Sequence, residues 1–220
     1  MKNSSPSKPI STEFAAFAVA FDFLSHILLF PPEAKFLHGL KKESLLQSWP
    51  ISPDNPSSRS GIAELQASLS DEPHTAARIL TEEFMRLFSG PGAVLAPPFE
   101  SLYLGKDKIL FDLATIQVRE YYRRYDLKIR NAGKVPDDHM GYELAFTAEI
   151  CRHLAGEKTD GPRGAAGDLL AFLESHTLRW SDAFTGCILE NAETSYYKGT
   201  ALLLRGTLTA LVDLLRSSRA

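Results

Sequence analysis

Asp137, Asp138, His139 and Glu143 fall inside one short run, Pro136-Asp137-Asp138-His139-Met140-Gly141-Tyr142-Glu143. Carboxylates beside an imidazole can trade protons, hold a metal ion, or receive a cationic peptide. At a helix N-terminus the same aspartates would cap free N–H groups and meet the positive end of the dipole. Capping accounts for one aspartate. It accounts for neither the adjacent His139 nor a glycine in the first turn. Further along, Glu149 and His153 form an i, i+4 pair. Such a pair can share a metal ion or simply line a polar helix face.

A second run is Glu82-Glu83-Phe84-Met85-Arg86-Leu87-Phe88-Ser89-Gly90-Pro91-Gly92, leading into Ala96-Pro97-Pro98-Phe99-Glu100-Ser101-Leu102-Tyr103-Leu104. Here a Gly/Pro loop carries large apolar side chains. A proline-stiffened backbone presenting aromatics loses little entropy when it orders a partner. The same side chains could instead plug the core beneath a long loop. Motifs for covalent chemistry are missing. There is no GxxxxGK[ST], no HExxH and no GxSxG, and Ser89-Gly90-Pro91-Gly92 is too short and stiff to cradle phosphates.

The chain that must position these groups has 220 residues, 44% hydrophobic and 23% charged, with a formal net charge of −3. That composition is ordinary for a globular protein and excludes a disordered or fibrous one. The charge balance gives no general attraction to nucleic acid. Cys151 and Cys187 cannot build a disulfide framework or a Cys₄ metal site, so two reduced thiols in a reducing compartment are expected. The first apolar run, Phe14 to Phe30, is interrupted by Asp22 and His26 and stops at Pro31-Pro32. It is too polar and aromatic for a signal peptide. A cytoplasmic protein without stable membrane insertion is expected, with a flexible tail over residues 1–11 and one domain over 12–220.

Apolar spacing is helical nearly throughout. Phe14, Phe17, Phe21, Leu24 and Leu28 mark a first helix, with Ser11 or Thr12 as N-cap. A second spans about Glu33 to Leu46. Trp49 to Gly61, rich in Pro and Ser, reads as a loop that could let two copies exchange segments, so monomer and homodimer are both open. Helices follow at about Ile62–Leu69 and Pro73–Phe88, then a non-helical stretch across Ser89 to Pro98. Helical spacing returns from Phe111 to Tyr125, from Pro136 to Leu154, and from Asp168, Leu178 and Ser195 onward. No strand alternation and no repeat is evident. The expected fold is all-α, one globular domain of roughly nine to eleven helices. On the helix after Pro136, Met140, Leu144, Thr147, Ala148 and Cys151 form a core stripe. His139, Tyr142, Glu143, Phe146, Glu149, Ile150 and His153 form a polar-aromatic one, suited to a groove wall.

The two runs together resemble the TorD/DmsD family of chaperones for molybdenum oxidoreductases. The family pattern E-x-x-R-L-F-x-G-P…P-P-x-x-S-x-[YW]-L is met by Glu83 to Pro91 and Pro97 to Leu104, and P-[DE]-D-H-x-G by Pro136 to Gly141. Phe99 and Tyr103 keep an aromatic where family members often carry tryptophan. The resemblance implies an all-helical protein without catalytic residues or a cofactor of its own. Its partner would be an apo molybdopterin oxidoreductase and that enzyme's twin-arginine signal peptide. The chaperone would hold the enzyme in the cytoplasm while its molybdopterin cofactor is inserted and delay export until folding is complete.

By that resemblance the leader-binding residues lie in the Pro97 to Tyr103 loop and the Asp138-His139 element. Chemistry extends the set. A leader with a cationic start and an apolar stretch needs acids for its guanidinium pair, here Asp137, Asp138, Glu143 and Glu100. It also needs an apolar groove, here Leu87, Phe88, Phe99, Leu102, Tyr103, Tyr142 and Phe146. Pro97, Pro98 and Ser101 complete the expected set, with His139, beside Asp138, giving a mild pH dependence near neutrality. No metal site is expected. Two alternatives stay open: an assembly chaperone for the mature part of a molybdoenzyme that ignores the leader, and a metal- or nucleotide-dependent enzyme.

Overall fold

Phe14, Phe17, Phe21, Leu24 and Leu28, spaced by three and four residues, are all buried along one helix, α1 (Ile10–Leu29). The computed structural model describes residues 10–51, 55–70, 72–129, 135–156 and 164–218. Among these, nine further α-helices follow: α2 (Ala34–Lys42), α3 (Pro56–Ser68), α4 (Pro73–Phe84), α5 (Glu100–Leu104), α6 (Leu113–Arg124), α7 (Met140–Leu154), α8 (Ala165–Ser175), α9 (Thr177–Asn191) and α10 (Ser195–Ser217). A π-helical turn, Met85–Ser89, extends α4. The all-α expectation holds, and the helix count falls inside the expected range. An isolated antiparallel bridge pairs Phe99 with His139.

Helix α1 packs chiefly along α7, and α3 along α10. Helix α1 is long and apolar enough to cross a membrane by length and composition, yet 56% of its most apolar window is buried inside the fold. The α3–α10 contact is unusually close. A Cβ on Gly61 would meet the backbone nitrogen of Leu203 at 2.5 Å, one on Gly199 the carbonyl oxygen of Gly61 at 2.8 Å, and one on Gly206 the backbone nitrogen of Ser58 at 2.6 Å. Three glycines therefore let two helix backbones touch.

Several boundaries differ from the sequence reading. Ser11 and Thr12 lie inside α1 rather than capping it, and residues 1–9 of the expected tail lie outside the described residues. The Trp49–Gly61 loop is shorter than expected, because α3 begins at Pro56. Asn55 caps it by accepting the Ser58 N–H at 2.8 Å, and Pro56 occupies the first turn. Helix α7 starts at Met140, not Pro136. Its cap is His139, whose Nδ1 accepts the Gly141 N–H at 3.0 Å. Asp137 and Asp138, expected to cap it, are thereby released for other partners. The short helix α5 was not anticipated.

Candidate functional site: a groove between two motif segments

The Phe99–His139 bridge joins the two runs singled out in the sequence. The Glu100 N–H donates to the Asp138 carbonyl at 3.0 Å, and the Met140 N–H donates to the Pro98 carbonyl at 2.8 Å. Beneath this bridge the acids turn inward. Asp138 accepts the Ser101 N–H at 2.8 Å and the Thr115 hydroxyl at 2.7 Å. Asp137 pairs with Arg119, and its carbonyl accepts the Tyr122 hydroxyl at 3.1 Å. Glu143 accepts the Thr177 hydroxyl at 2.7 Å, and Glu100 lies 2.9 Å from Nδ1 of His176.

All four carboxyl groups, expected to meet a cationic peptide, are buried and bonded to the chain's own groups. A carboxylate withdrawn from water needs partners at hand, and here each finds at least one within the chain, although one oxygen of Asp137 and one of Glu143 are buried without one. Burial, then the nearby charge of Glu100, raises the Glu143 carboxyl well above the ordinary range. Burial and the surrounding carboxylates likewise push the Tyr122 phenol up.

Above the bridge lies a groove of about 1060 Å³. Phe88, Pro97 and Phe99 from the first run form one wall, and His139, Tyr142 and Phe146 from α7 form another. The end of α1, Leu28 to Phe30, closes a third side. The Phe99 ring stands edge-on to His139 with centroids 5.0 Å apart, and His139 leans on Tyr142 at 5.4 Å. Burial lowers the His139 pKa to about 3. Its imidazole is neutral near pH 7, with Nδ1 the acceptor and the ring proton on Nε2. The mild pH dependence expected of His139 near neutrality therefore does not follow.

The described charged groups in the groove lining are Lys128, Glu149 and Arg152. Arg152 bridges two carboxylates, Glu149 at 3.0 Å and Asp22 at 2.5 Å. That pairing, rather than a metal shared with His153, accounts for Glu149. Among the described residues no group of three or more His, Cys, Asp or Glu side chains is placed to hold a metal ion.

Comparison with known proteins decides the family. The family described as nitrate reductase delta subunit matches residues 53–186, more than half of the chain. This chain belongs to that family, the family of the TorD and DmsD chaperones. It is 27% identical over 199 residues to the Tat proofreading chaperone DmsD of Salmonella typhimurium, covering 87% of each chain. It is 25% identical over 171 residues to the probable Tat proofreading chaperone DmsD of Haemophilus influenzae, covering 76% of this chain and 74% of the relative. It is 22% identical over 191 residues to the chaperone protein TorD of Shewanella pealeana, covering 83% and 82%. Family members of this kind are chaperones, not enzymes.

In this TorD/DmsD family member the twelve expected contact residues divide. Phe88, Pro97, Phe99, His139 and Tyr142 line the groove. Leu87 is in the core, Pro98 and Ser101 are buried, and Asp137, Asp138 and Glu143 sit below the bridge. Tyr103 faces away from the groove and packs on Trp180 and Phe184, with centroids 5.2 and 6.4 Å away.

Sequence reasoning missed Leu28 to Phe30, which read as an ordinary core stripe ending at Pro31-Pro32. It also missed Arg152, which carries no local signal. The glycine in the first turn of α7 now has a reason. A Cβ on Gly141 would meet Leu29 Cγ at 2.6 Å, and Ser25 donates to the Gly141 carbonyl at 2.8 Å. Gly141 lets the groove end of α1 seat directly on α7.

Proposed function

We propose that this protein is a cytoplasmic chaperone that binds the twin-arginine signal peptide and the apo form of a molybdopterin-dependent oxidoreductase. It would assist cofactor insertion and delay export until folding is complete. The observation that carries this reading is the apolar groove walled by both motif segments. Relatives named as Tat proofreading chaperones support it.

Phe99, Tyr142, Phe88, Pro97 and His139 would contact the leader's apolar stretch. Each buried aromatic anchor is worth about 2 kcal/mol, and micromolar binding requires only about −8 kcal/mol. The acids below the bridge act as positioning residues that hold the two walls together. The carboxylate in the groove lining is instead that of Glu149, which together with Asp22 already receives a guanidinium from Arg152. A leader arginine would compete with Arg152 for them, each charge-assisted hydrogen bond contributing about 1.5–3 kcal/mol.

The test is titration with a twin-arginine leader peptide and with its Arg-Arg→Lys-Lys variant. Micromolar binding of the first, weakened in the second, is expected, because lysine lacks the planar fork that matches a carboxylate. Binding of neither peptide overturns the reading. One observation favours a second reading, an assembly chaperone that grips the mature enzyme and ignores the leader. The four acids expected to meet the arginine pair are buried against internal partners. Capture of leaderless apo-enzyme with no affinity for the leader peptide would decide for it.

A further inference from the structure

Among the described residues, Ile109, Leu110, Phe111, Leu113 and Ile116 are all large, apolar and exposed, at 43 to 60% of their surface. They share one excursion between α5 and the first turns of α6. Scattered exposed apolar residues need no account, whereas a contiguous patch of them does.

Three further observations set this ridge apart. First, Lys108 and Phe111 have φ of 49° and 62°, the left-handed region that residues with side chains seldom adopt. Secondly, both feet of the excursion are tied to one buried carboxylate. Asp138 accepts the Ser101 N–H before the ridge and the hydroxyl of Thr115, the buried residue between Leu113 and Ile116 at the ridge's far end. Thirdly, Leu110 belongs both to the ridge and to the groove lining, so the two apolar surfaces are continuous.

Size indicates what covers it. The groove, at about 1060 Å³, lies just above the range that encloses one drug-sized molecule, roughly 300–1,000 Å³. The apolar stretch of a targeting peptide runs to about 7–15 residues, and towards the longer end of that range it outgrows such a space. The remainder of a long stretch would rest on apolar surface next to the groove. Charge argues against a lipid surface. Lys106, Asp107, Lys108 and Asp112 mix signs around the ridge, and the chain carries a net charge of −3.

We infer that the ridge at residues 109–116 is a second docking surface for the polypeptide held in the groove, receiving the extended apolar segment that runs out over Leu110. This rests on the groove reading given above.

Two synthetic peptides test it, each opening with Arg-Arg, one followed by about six apolar residues and the other by about fourteen, the range of targeting stretches. The full chain and the variant Leu113→Ser/Ile116→Ser are titrated with both. Both substituted side chains are more than half exposed, and circular dichroism and melting check that the variant folds.

Wild type should bind the long peptide about tenfold tighter than the short one. The variant should lose that advantage while binding the short peptide as before. The inference is overturned if wild type shows no advantage for the long peptide, or if the variant keeps it. Equal loss of both peptides, or loss only of self-association or of binding to anionic vesicles, also overturns it. Wild type binding neither peptide is a distinct result. It removes the groove reading before any ridge substitution is made, and the ridge reading with it.

Discussion

The carboxylate of Asp138 accepts a hydrogen bond from the backbone N–H of Ser101 at 2.8 Å, across 37 residues of chain. Ser101 lies in the five-residue helix α5, far too short to persist alone. Asp138 thus supplies from a distant segment the N-terminal acceptor that Phe99, at the cap position, lacks. Its other oxygen takes the Thr115 hydroxyl at 2.7 Å, so one buried side chain fastens α5, α6 and the start of α7.

Asp138→Ala should therefore lower stability by about 2–4 kcal/mol, the cost of leaving a buried amide and a buried hydroxyl unpaired. Urea unfolding measures this. Thr115→Val removes the hydroxyl, and the double variant should be less destabilised than the sum of the singles by about 1 kcal/mol. A fully stable Asp138→Ala protein would contradict this role.

The α3–α10 contact predicts opposite outcomes for similar substitutions. Gly61→Ala and Gly206→Ala place a methyl group against backbone that cannot retreat, and should each lower the melting temperature by several degrees. Gly39→Ala, on α2, meets nothing within 4 Å. It should raise stability by about 0.5–1 kcal/mol through helix propensity alone. Thermal unfolding of the three variants checks the pattern.

His139 sets part of the acid response. Its pKa is about 3 in the folded chain, lowered by burial, against an ordinary value near 6.5. Between these values the unfolded chain binds a proton and the folded chain does not. Stability should fall as pH drops below about 6.5, by up to ~1.4 kcal/mol per pH unit from this group. His139→Asn keeps a capping acceptor and removes the titration. Its urea midpoints at pH 7, 5.5 and 4.5 should decline less steeply than those of wild type.

Glu143 acts in the reverse sense. Its carboxyl is held protonated well above the ordinary range by burial and by Glu100. The folded chain then binds a proton that the unfolded chain has released. This contribution is fully present below about 4.3, the ordinary glutamate value, and is lost as pH rises through the folded-state value. Glu143→Gln, which can still accept the Thr177 hydroxyl, should flatten that part of the stability profile in the same urea series.

Groove residues and core residues should separate cleanly in binding experiments. Phe99→Ala and Tyr142→Ala should weaken leader peptide binding by about tenfold or more, with small changes in melting, since both are only partly buried. Tyr103→Ala should leave affinity nearly unchanged and lower the melting temperature, because its ring packs on Trp180. Leu87→Ala, fully buried, should cost about 2–5 kcal/mol. Calorimetric titration alongside thermal unfolding distinguishes the two groups.

Local chemistry determined much of this protein. The spacing of Phe14, Phe17, Phe21, Leu24 and Leu28 dictated a buried helix face, because every side chain at that period falls on one side. The Gly/Pro stretch after Ser89 excluded helix by backbone geometry alone. Two separated motifs were legible as a pair, and with them the family.

What each side chain faces was not legible, because direction depends on what packs against it. Asp137, Asp138 and Glu143 have the types and spacing of an open acidic site, and only the arrival of Ser101, Thr115, Arg119 and Thr177 from elsewhere makes them internal ties. Leu28 to Phe30 became groove wall because Gly141 leaves room for Leu29. Sequence determines which groups can bond or bury; tertiary structure decides which do, since a hydrogen bond or an apolar contact exists only between groups the fold brings within a few ångströms.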